Sequence, residues 1–213
     1  MRTEDLILSL ADNIRPVTRG SVPRRITIGL MGGGVVTMTL IVALLGLRPN
    51  LDHIMHGFPF WMKWGYTISI FAVAIRATIH LARPDADRPR WLWWLAVPAL
   101  ILASLAAGEM TNAPPGGWTG LWMGQSWRVC SLLVFGFSLP IFAGLMIAFR
   151  SFAPTRLRLT GAVAGLAAGG FASTLYGLHC PEASALFVFL WYSLGISMAA
   201  GLGALVGPKF LRW

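Results

Sequence analysis

Long apolar runs alternate with short polar segments along most of the chain, and this pattern predicts membrane helices. A helix that crosses the hydrocarbon layer needs about 20 mainly apolar residues. Runs of this kind occur six times, at residues 26–47, 61–81, 91–107, 127–149, 159–178 and 183–206. The third run has only 17 residues and can extend into its flanks. We therefore predict an all-α membrane protein with a six-helix transmembrane domain at 26–206.

Composition agrees with this assignment and excludes several other classes. The chain has 213 residues, of which 56% are hydrophobic and 12% are charged. A soluble domain has about 25% charged residues, so the chain is neither an ordinary soluble enzyme nor a disordered protein. With 2 cysteines it is not a disulfide-rich secreted miniprotein either.

The net charge of +9 would fit a nucleic-acid-binding protein, but its distribution indicates membrane topology instead. Of the basic residues, three fall on one side of the predicted spans: Arg48, Lys63 and Arg128. Thirteen fall on the other side: Arg2, Arg15, Arg19, Arg24, Arg25, Arg83, Arg88, Arg90, Arg150, Arg156, Arg158, Lys209 and Arg212. Since basic loops stay in the cytoplasm, we predict that both termini are cytoplasmic and that the chain has no direct contact with nucleic acid.

The segment 1–25 precedes the first span and begins with a helical pattern. Apolar residues recur on one face, and these are Leu6, Ile7, Leu10, Ala11 and Ile14. The opposite face carries Glu4, Asp5, Ser9, Asp12 and Asn13. A helix that lies on lipid has a basic polar face, so this acidic face favours docking into a protein groove. Packing onto the chain's own cytoplasmic loops is the alternative. A basic linker follows to residue 25, and a second cytoplasmic segment is the tail at 207–213.

Small residues recur at every fourth position in the last two spans. The fifth span carries Gly161, Gly165, Gly169, Ser173 and Gly177, and the sixth carries Gly195, Ala199, Gly203 and Gly207. Such stripes let two helix backbones approach closely within a bilayer. We therefore predict a tight hairpin of these two helices around the turn at residues 179–182.

Cys130 and Cys180 are predicted at the same, non-cytoplasmic face, although fifty residues separate them in sequence. Two thiols at one depth could form a disulfide in an oxidising compartment or bind a soft metal. Possible additional metal ligands at that face are His179, His53, His56 and Glu182. A buried membrane cysteine that only fills space is the simplest alternative, and we predict no constitutive metal and no cofactor.

Catalytic motifs are absent from the sequence. There is no CxxC pair of the kind used in disulfide exchange and no HExxH zinc motif. Pro98 and Pro140 lie inside predicted spans, but no acidic residue accompanies them near the midplane, as a transporter would require. We predict that the chain is not an enzyme.

Several of these motifs together resemble the negative-regulator-of-sigma-F (NrsF) family. They are the start Met1–Ile7 with Leu10-Ala11, the six spans, Cys130, and the turn Leu178–Glu182 leading to Ala185–Phe187 and Trp191-Tyr192. The resemblance implies an anti-sigma factor of the bacterial inner membrane that holds an extracytoplasmic-function sigma factor inactive. It also implies that Cys130 and Cys180 are the family's paired cysteines.

Combining the resemblance with the residues gives a hypothesis for the whole chain. Residues 1–15 would bind the sigma factor through Glu4, Asp5, Leu6, Ile7, Leu10, Ala11 and Ile14. Oxidants or thiophilic metals, including heavy metals, would act on the two cysteines and release the sigma factor in a stress response. Two other classes remain open. One is a metal- or redox-responsive transporter or sensor without a sigma partner, and the other is a purely structural membrane subunit.

Overall fold

Six long helices make up most of the part of the chain that the structure describes, which confirms the predicted all-α membrane architecture. The computed structural model describes residue 3 and residues 21–83, 87, 89–114, 116–152 and 154–212. The long helices are α1 Ser21–Leu44, α2 Phe58–Leu81, α3 Ala96–Asn112, α4 Trp127–Phe149, α5 Leu157–Tyr176 and α6 Ala185–Phe210. A 3-10 segment, Arg90–Leu95, precedes α3, and short helices at Leu51–Met55 and Trp118–Met123 precede α2 and α4. α3 together with the 3-10 segment before it spans Arg90–Asn112, and with that extension each of the six is long and apolar enough to cross a bilayer.

Several helix boundaries differ from the predicted spans by up to five residues. α1 begins at Ser21, so residues 21–25 belong to the helix and not to a linker, and α3 continues to Asn112. α6 continues to Phe210, into the predicted tail. The apolar run ends where the hydrocarbon layer ends, but the hydrogen-bonded helix can continue into the aqueous region. Hydropathy therefore does not mark the end of the helix. Pro23 fits the first turn of α1, where its missing N–H is not needed.

The predicted N-terminal helix lies outside the described residues. This applies to all the residues expected to bind the sigma factor: Glu4, Asp5, Leu6, Ile7, Leu10, Ala11 and Ile14.

α5 is the central helix of the bundle and contacts α2, α4 and α6. In its most apolar stretch 72% of the residues are buried, whereas the corresponding share for α3 is 11%. The buried positions of α5 are mostly glycine and alanine. Because these side chains are so small, three neighbouring backbones can pack against one helix.

α5 and α6 pack most closely through their glycines. A Cβ atom on Gly161 would collide with the carbonyl oxygen of Gly203, and a Cβ on Gly203 would collide with that of Gly161. One turn further on, Gly165 lies equally close to the carbonyl of Ala199, and Gly169 packs on Ile196. The two helices thus form the hairpin that the small-residue stripes predict.

The glycine stripes of α5 and α6 do not face each other along their whole length, because Gly177 and Gly195 lie at interfaces with other helices. Gly177 lies beside Trp64 of α2, and Gly195 packs against Val134 and Ser131 of α4. A spacing of four residues advances about 400° around a helix with 3.6 residues per turn, so the stripe drifts by about 40° at each step. By the end of α5 the stripe has therefore rotated away from α6.

A second close contact, which the sequence analysis did not identify, joins α1 to α4. Gly29 lies against Gly144, and Gly33 lies against the backbone at Pro140 and Ile141. The proline ring interrupts the hydrogen-bond ladder of α4. The Thr37 hydroxyl of α1 donates to the carbonyl of Phe137 at 2.9 Å beside this interruption.

We predict that Gly203→Ala destabilises the protein and that Gly201→Ala does not. The first substitution places a methyl group against the backbone of α5, and overpacking of this kind costs about 1–3 kcal/mol. The second lies on the same helix with nothing within 4 Å of the added Cβ. Denaturation with increasing sodium dodecyl sulfate, followed by circular dichroism in mixed micelles, measures both. Equal stability of the two variants would contradict the close packing of α5 on α6.

Candidate functional site

The turn between α5 and α6, residues 177–184, is bound by side chains and backbone from the other helices. At one end of the bundle His179 Nδ1 lies 2.9 Å from the carbonyl oxygen of Gly46, just after α1. The Arg48 guanidinium donates to the Pro181 carbonyl at 3.3 Å. We call this end, which also carries Cys130 and Cys180, the cysteine end.

Lys63 of α2 makes the most buried of these contacts. Its side chain is 3% exposed. The ammonium donates to the carbonyl of Cys180 at 3.1 Å and to that of Glu182 at 2.6 Å. Such a group is costly to bury unless it is well hydrogen-bonded, and here the backbone of the turn supplies both acceptors.

Two carboxylates bind backbone amides at or just before the starts of two membrane helices. Glu182 Oε1 accepts hydrogen bonds from the amides of Gln125 and Ser126 and from the Ser126 hydroxyl at 2.7–3.1 Å, just before α4. Glu109 of α3 accepts from the amides of Ala185 and Leu186 and from the Ser184 hydroxyl, at the start of α6. A carboxylate at a helix N-terminus satisfies unpaired amides and complements the helix dipole.

Cys130 and Cys180 meet inside this framework. Both are free thiols, with 0% and 1% of their surfaces exposed. Cys130 lies in the first turn of α4 and Cys180 in the turn after α5, and the two thiols are neighbours close enough to shift each other's ionisation. The structure therefore brings together the two residues that the sequence analysis assigned to sensing.

Two tyrosines close the pocket around the sulfur atoms. Tyr176 of α5 lies beside both thiols, and the fully buried Tyr192 of α6 faces Cys180. The Tyr192 hydroxyl has no well-aligned hydrogen bond within the part of the chain that the structure describes. It is thus an available donor to a sulfur anion.

A π turn at Val188–Tyr192 ends at Tyr192, the residue that faces Cys180. A π turn leaves helix backbone groups without their usual partners. Here the Ser131 hydroxyl of α4 donates to the Trp191 carbonyl at 2.9 Å. The Trp191 indole in turn donates to the Trp122 carbonyl at 2.6 Å. π turns are frequent at functional sites.

The surroundings favour the ionised form of Cys180. The hydrogen bond with Cys130 lowers the pKa of the Cys180 thiol most, and the charge of Lys63 and the Tyr192 hydroxyl contribute, whereas burial acts in the opposite direction. Together they lower the pKa from 9.0 to about 6. The thiolate, which is the nucleophile and metal ligand, therefore forms above about pH 6 and is lost as the pH falls below it.

The other predicted ligands are not grouped around the thiols. His53 and His56 are exposed, at and just after the short helix before α2. His179 is bound to the Gly46 carbonyl, and Glu182 binds the amides before α4. Among the described residues, no three His, Cys, Asp or Glu side chains are spaced to hold a metal ion.

Sequence reasoning did not identify Lys63, Tyr192 or the bonding role of Glu109. Lys63 was counted only as a basic residue near a span, yet a lysine two residues inside a predicted span is a signal in itself. Glu109 is an acid at the end of a span, where it had no visible partner. Tyr192 enters the sequence analysis only as part of the family motif, which says nothing of its position beside Cys180.

At the opposite end of the bundle, basic side chains from three separate segments surround one cleft of about 880 Å³. They come from the start of the α3 segment, the start of α5 and the end of α6, and they are Arg90, Arg156, Arg158 and Arg212. We call this end the arginine end. Residues that are distant in sequence thus share one side, as the topology from charge predicts.

Comparison with known proteins identifies the family of the chain. The family model for the negative regulator of sigma F, NrsF, matches residues 10–213. The chain belongs to the NrsF family. That match includes all six membrane helices, Cys130, Cys180 and the turn at 177–184.

Two curated relatives match over their full length. A protein of Azospira oryzae named as a probable anti-sigma-F factor NrsF is 36% identical over 214 residues. The anti-sigma-F factor NrsF of Caulobacter vibrioides is 37% identical over 216 residues. Each alignment covers 100% of both chains. No solved structure matches this member of the NrsF family.

We predict that Glu182→Ala and Glu109→Ala loosen two different helix starts. Charged hydrogen bonds are worth about 1.5–3 kcal/mol, so the freed amides should exchange with solvent at least about tenfold faster. Glu182→Ala should affect Gln125 and Ser126, whereas Glu109→Ala should affect Ala185 and Leu186. Hydrogen–deuterium exchange with mass spectrometry in detergent measures both, and each variant is the other's control. Uniform changes in both peptides would show that the carboxylates act globally and not locally.

Proposed function

We propose that this chain is a membrane-bound anti-sigma factor that sequesters an extracytoplasmic-function sigma factor. Membership of the NrsF family supports this role, as do two full-length relatives with anti-sigma-F factor in their names. The role is regulatory and not catalytic. It links the chain to DNA only indirectly, through the captured sigma factor and its access to RNA polymerase.

We place the arginine end in the cytoplasm of a bacterial cell and the cysteine end outside the inner membrane. The cleft with four arginines supports this orientation, because basic loops are retained on the cytoplasmic side. Exposed tryptophans, among them Trp61 at the cysteine end and Trp93 at the arginine end, suit the two interfaces. The outer compartment is oxidising, so the thiols face the side from which oxidants arrive.

The proposed partner-binding element is the acidic amphipathic helix within residues 1–15. Its apolar face would fill a groove on the sigma factor, and Glu4 and Asp5 would contact the rim of that groove. This is the helix-in-groove mode of recognition. The element joins α1 at the arginine end, so a captured sigma factor would be held at the membrane surface.

The contact between Cys130 and Cys180 is the observation that carries the sensing function. Two neighbouring thiols can form a disulfide where their Cα atoms come within about 7 Å of each other. They also form two ligands for a thiophilic metal. A third ligand would require His179 or Glu182 to leave its present partner, or His53 or His56 to move inward, so metal binding would rearrange the turn.

Rearrangement of the turn would reach the arginine end through the helices that bind it. α2, α3, α4 and the segment just after α1 each contribute a hydrogen bond or a thiol to residues 177–184 or to the start of α6. To change from 1% to 99% released sigma factor, the signal must supply about 5.5 kcal/mol of differential stability. A disulfide contributes about 2–4 kcal/mol, so altered hydrogen bonds at the turn must add the remainder.

We predict that the full chain captures an extracytoplasmic-function sigma factor and that Leu10→Asp weakens capture at least about tenfold. Burying one leucine is worth about 1.5–3 kcal/mol, and an aspartate there would be desolvated without a partner. Ser9→Asp, on the polar face, is the matched control and should bind as the wild type does. Co-purification in mild detergent under reducing conditions measures this.

Failure of the full chain to capture any sigma factor would contradict the proposal. Metal flux into vesicles, or metal binding that survives removal of residues 1–20, would then favour a metal- or redox-responsive transporter or sensor. If neither is found and serine substitution of both cysteines leaves the stress response unchanged, the purely structural role would be favoured.

We predict that hydrogen peroxide or Cd²⁺ releases the captured sigma factor from the wild type but not from the Cys130→Ser, Cys180→Ser double variant. Release by peroxide should be reversed by dithiothreitol, and release by Cd²⁺ by a chelator. Size-exclusion chromatography of the complex in detergent measures the released fraction. Equal release from the double variant would refute thiol sensing while leaving the anti-sigma role intact.

A further inference from the structure

Lys63 gives the two thiols unequal surroundings. Its ammonium is bonded to the carbonyls of Cys180 and Glu182, on either side of Pro181. The charge therefore lies at the Cys180 backbone, whereas Cys130 belongs to a different helix. Within the pocket the charge acts with little screening because Lys63 and both thiols are buried.

The hydrogen-bond donors around the sulfur atoms show the same asymmetry. The Tyr192 hydroxyl, which has no other well-aligned partner among the described residues, faces Cys180. Cys130 also lies beside Cys180 and can donate its own S–H proton to it. Tyr176 lies beside both thiols and does not distinguish them, so the Tyr192 hydroxyl is the donor that favours a thiolate at Cys180 over one at Cys130.

We propose that Lys63 is a positioning residue that makes Cys180 the nucleophilic thiol and Cys130 the resolving thiol of this site. Only the consequence of this chemistry, release of the sigma factor, rests on the proposed function. The chemistry itself can be measured without a sigma factor. The oxidant class that it names is a hydroperoxide, which is small enough to reach a buried sulfur.

The reaction has two steps. The Cys180 thiolate attacks one oxygen of hydrogen peroxide, the O–O bond breaks, and the leaving hydroxide takes up a proton to form water. Cys180 becomes a sulfenic acid. The Cys130 sulfur then attacks the Cys180 sulfur, the S–O bond breaks, and a second water leaves with the Cys130 proton. Two thiols lose two electrons, and one peroxide gains them to give two waters.

The groups that set the ionisation of Cys180 come from every segment packed around it. α2 contributes Lys63, and the segment after α1 contributes Arg48. The titratable groups around Cys180 and Lys63 are Lys63, Arg48, Cys130, Tyr176, His179, Glu182 and Tyr192. Among these, Lys63 is the cation bonded to the Cys180 backbone itself.

The test measures the rate of disulfide formation by hydrogen peroxide against pH in the full chain in detergent micelles. Lys63→Met removes the charge and the donor, whereas Lys63→Gln removes the charge but keeps an N–H donor for the carbonyls. We expect both to raise the midpoint of the pH profile by at least about one unit. At pH 6 the rate should fall about fivefold or more, and the rates should converge with the wild type above about pH 10.

Arg76→Met is the matched control because it removes a cation from the same helix at the other end, where Arg76 lies over the Trp91 ring. Its pH profile should equal that of the wild type. A lysine that served only as a structural support would change the rate at all pH values without moving the midpoint.

Trapping of the sulfenic acid with dimedone identifies the attacked sulfur with Lys63 intact. We expect the adduct on Cys180 in the Cys130→Ser variant, at a rate at least about tenfold higher than on Cys130 in the Cys180→Ser variant. A dominant adduct on Cys130, or a wild-type pH midpoint in both Lys63 variants, would overturn the assignment. These experiments measure thiol chemistry only, and release of the sigma factor is measured in a separate experiment. Failure of the Lys63 proposal therefore does not imply failure of the proposed function.

Discussion

The surrounding helices bury hydrogen-bonding groups of the turn between α5 and α6, so these groups need partners within the protein. The carbonyls of Cys180 and Glu182 receive Lys63, and the carbonyl of Pro181 receives Arg48. The first amides of α6 bind Glu109. Because these partners belong to different spans, satisfying one short turn fixes the cysteine ends of the surrounding helices. The pocket around the thiols is a consequence of the same constraint.

Close packing of small residues makes this arrangement possible. α5 can be surrounded by α2, α4 and α6 only because its buried face consists largely of glycine and alanine. Backbone contact between Gly161 and Gly203 leaves little freedom for the hairpin to change its crossing. Movement that starts at the turn is therefore more easily taken up by the helices that bind it through side chains. α2 is one of these, since its link to the turn is the long Lys63 side chain.

Much of the fold could be predicted from the sequence because hydropathy and glycine spacing are local signals. These signals predict the six helices and the contact between α5 and α6. The order of the spans also predicts that Cys130 and Cys180 lie at the same end of the bundle. Hydropathy cannot locate helix ends that continue into water, as α1 does at Ser21. Nor can spacing show which helix a lysine reaches. Lys63 and Glu109 bind backbone groups more than 70 residues away, and no pattern along the chain records such a partner.

The choice of lysine for this position bears on how oxidation would act. A neutral donor could satisfy the same two carbonyls without the cost of burying a charge. A thiolate at Cys180 supplies the opposite charge that makes an ammonium favourable there. Once Cys180 enters a disulfide, that anion is lost, and Lys63 is left buried with carbonyl dipoles alone. Its interaction with the turn then weakens in addition to any strain from the new bond. Oxidation would thereby destabilise the contact between α2 and the turn, and α2 extends to the arginine end.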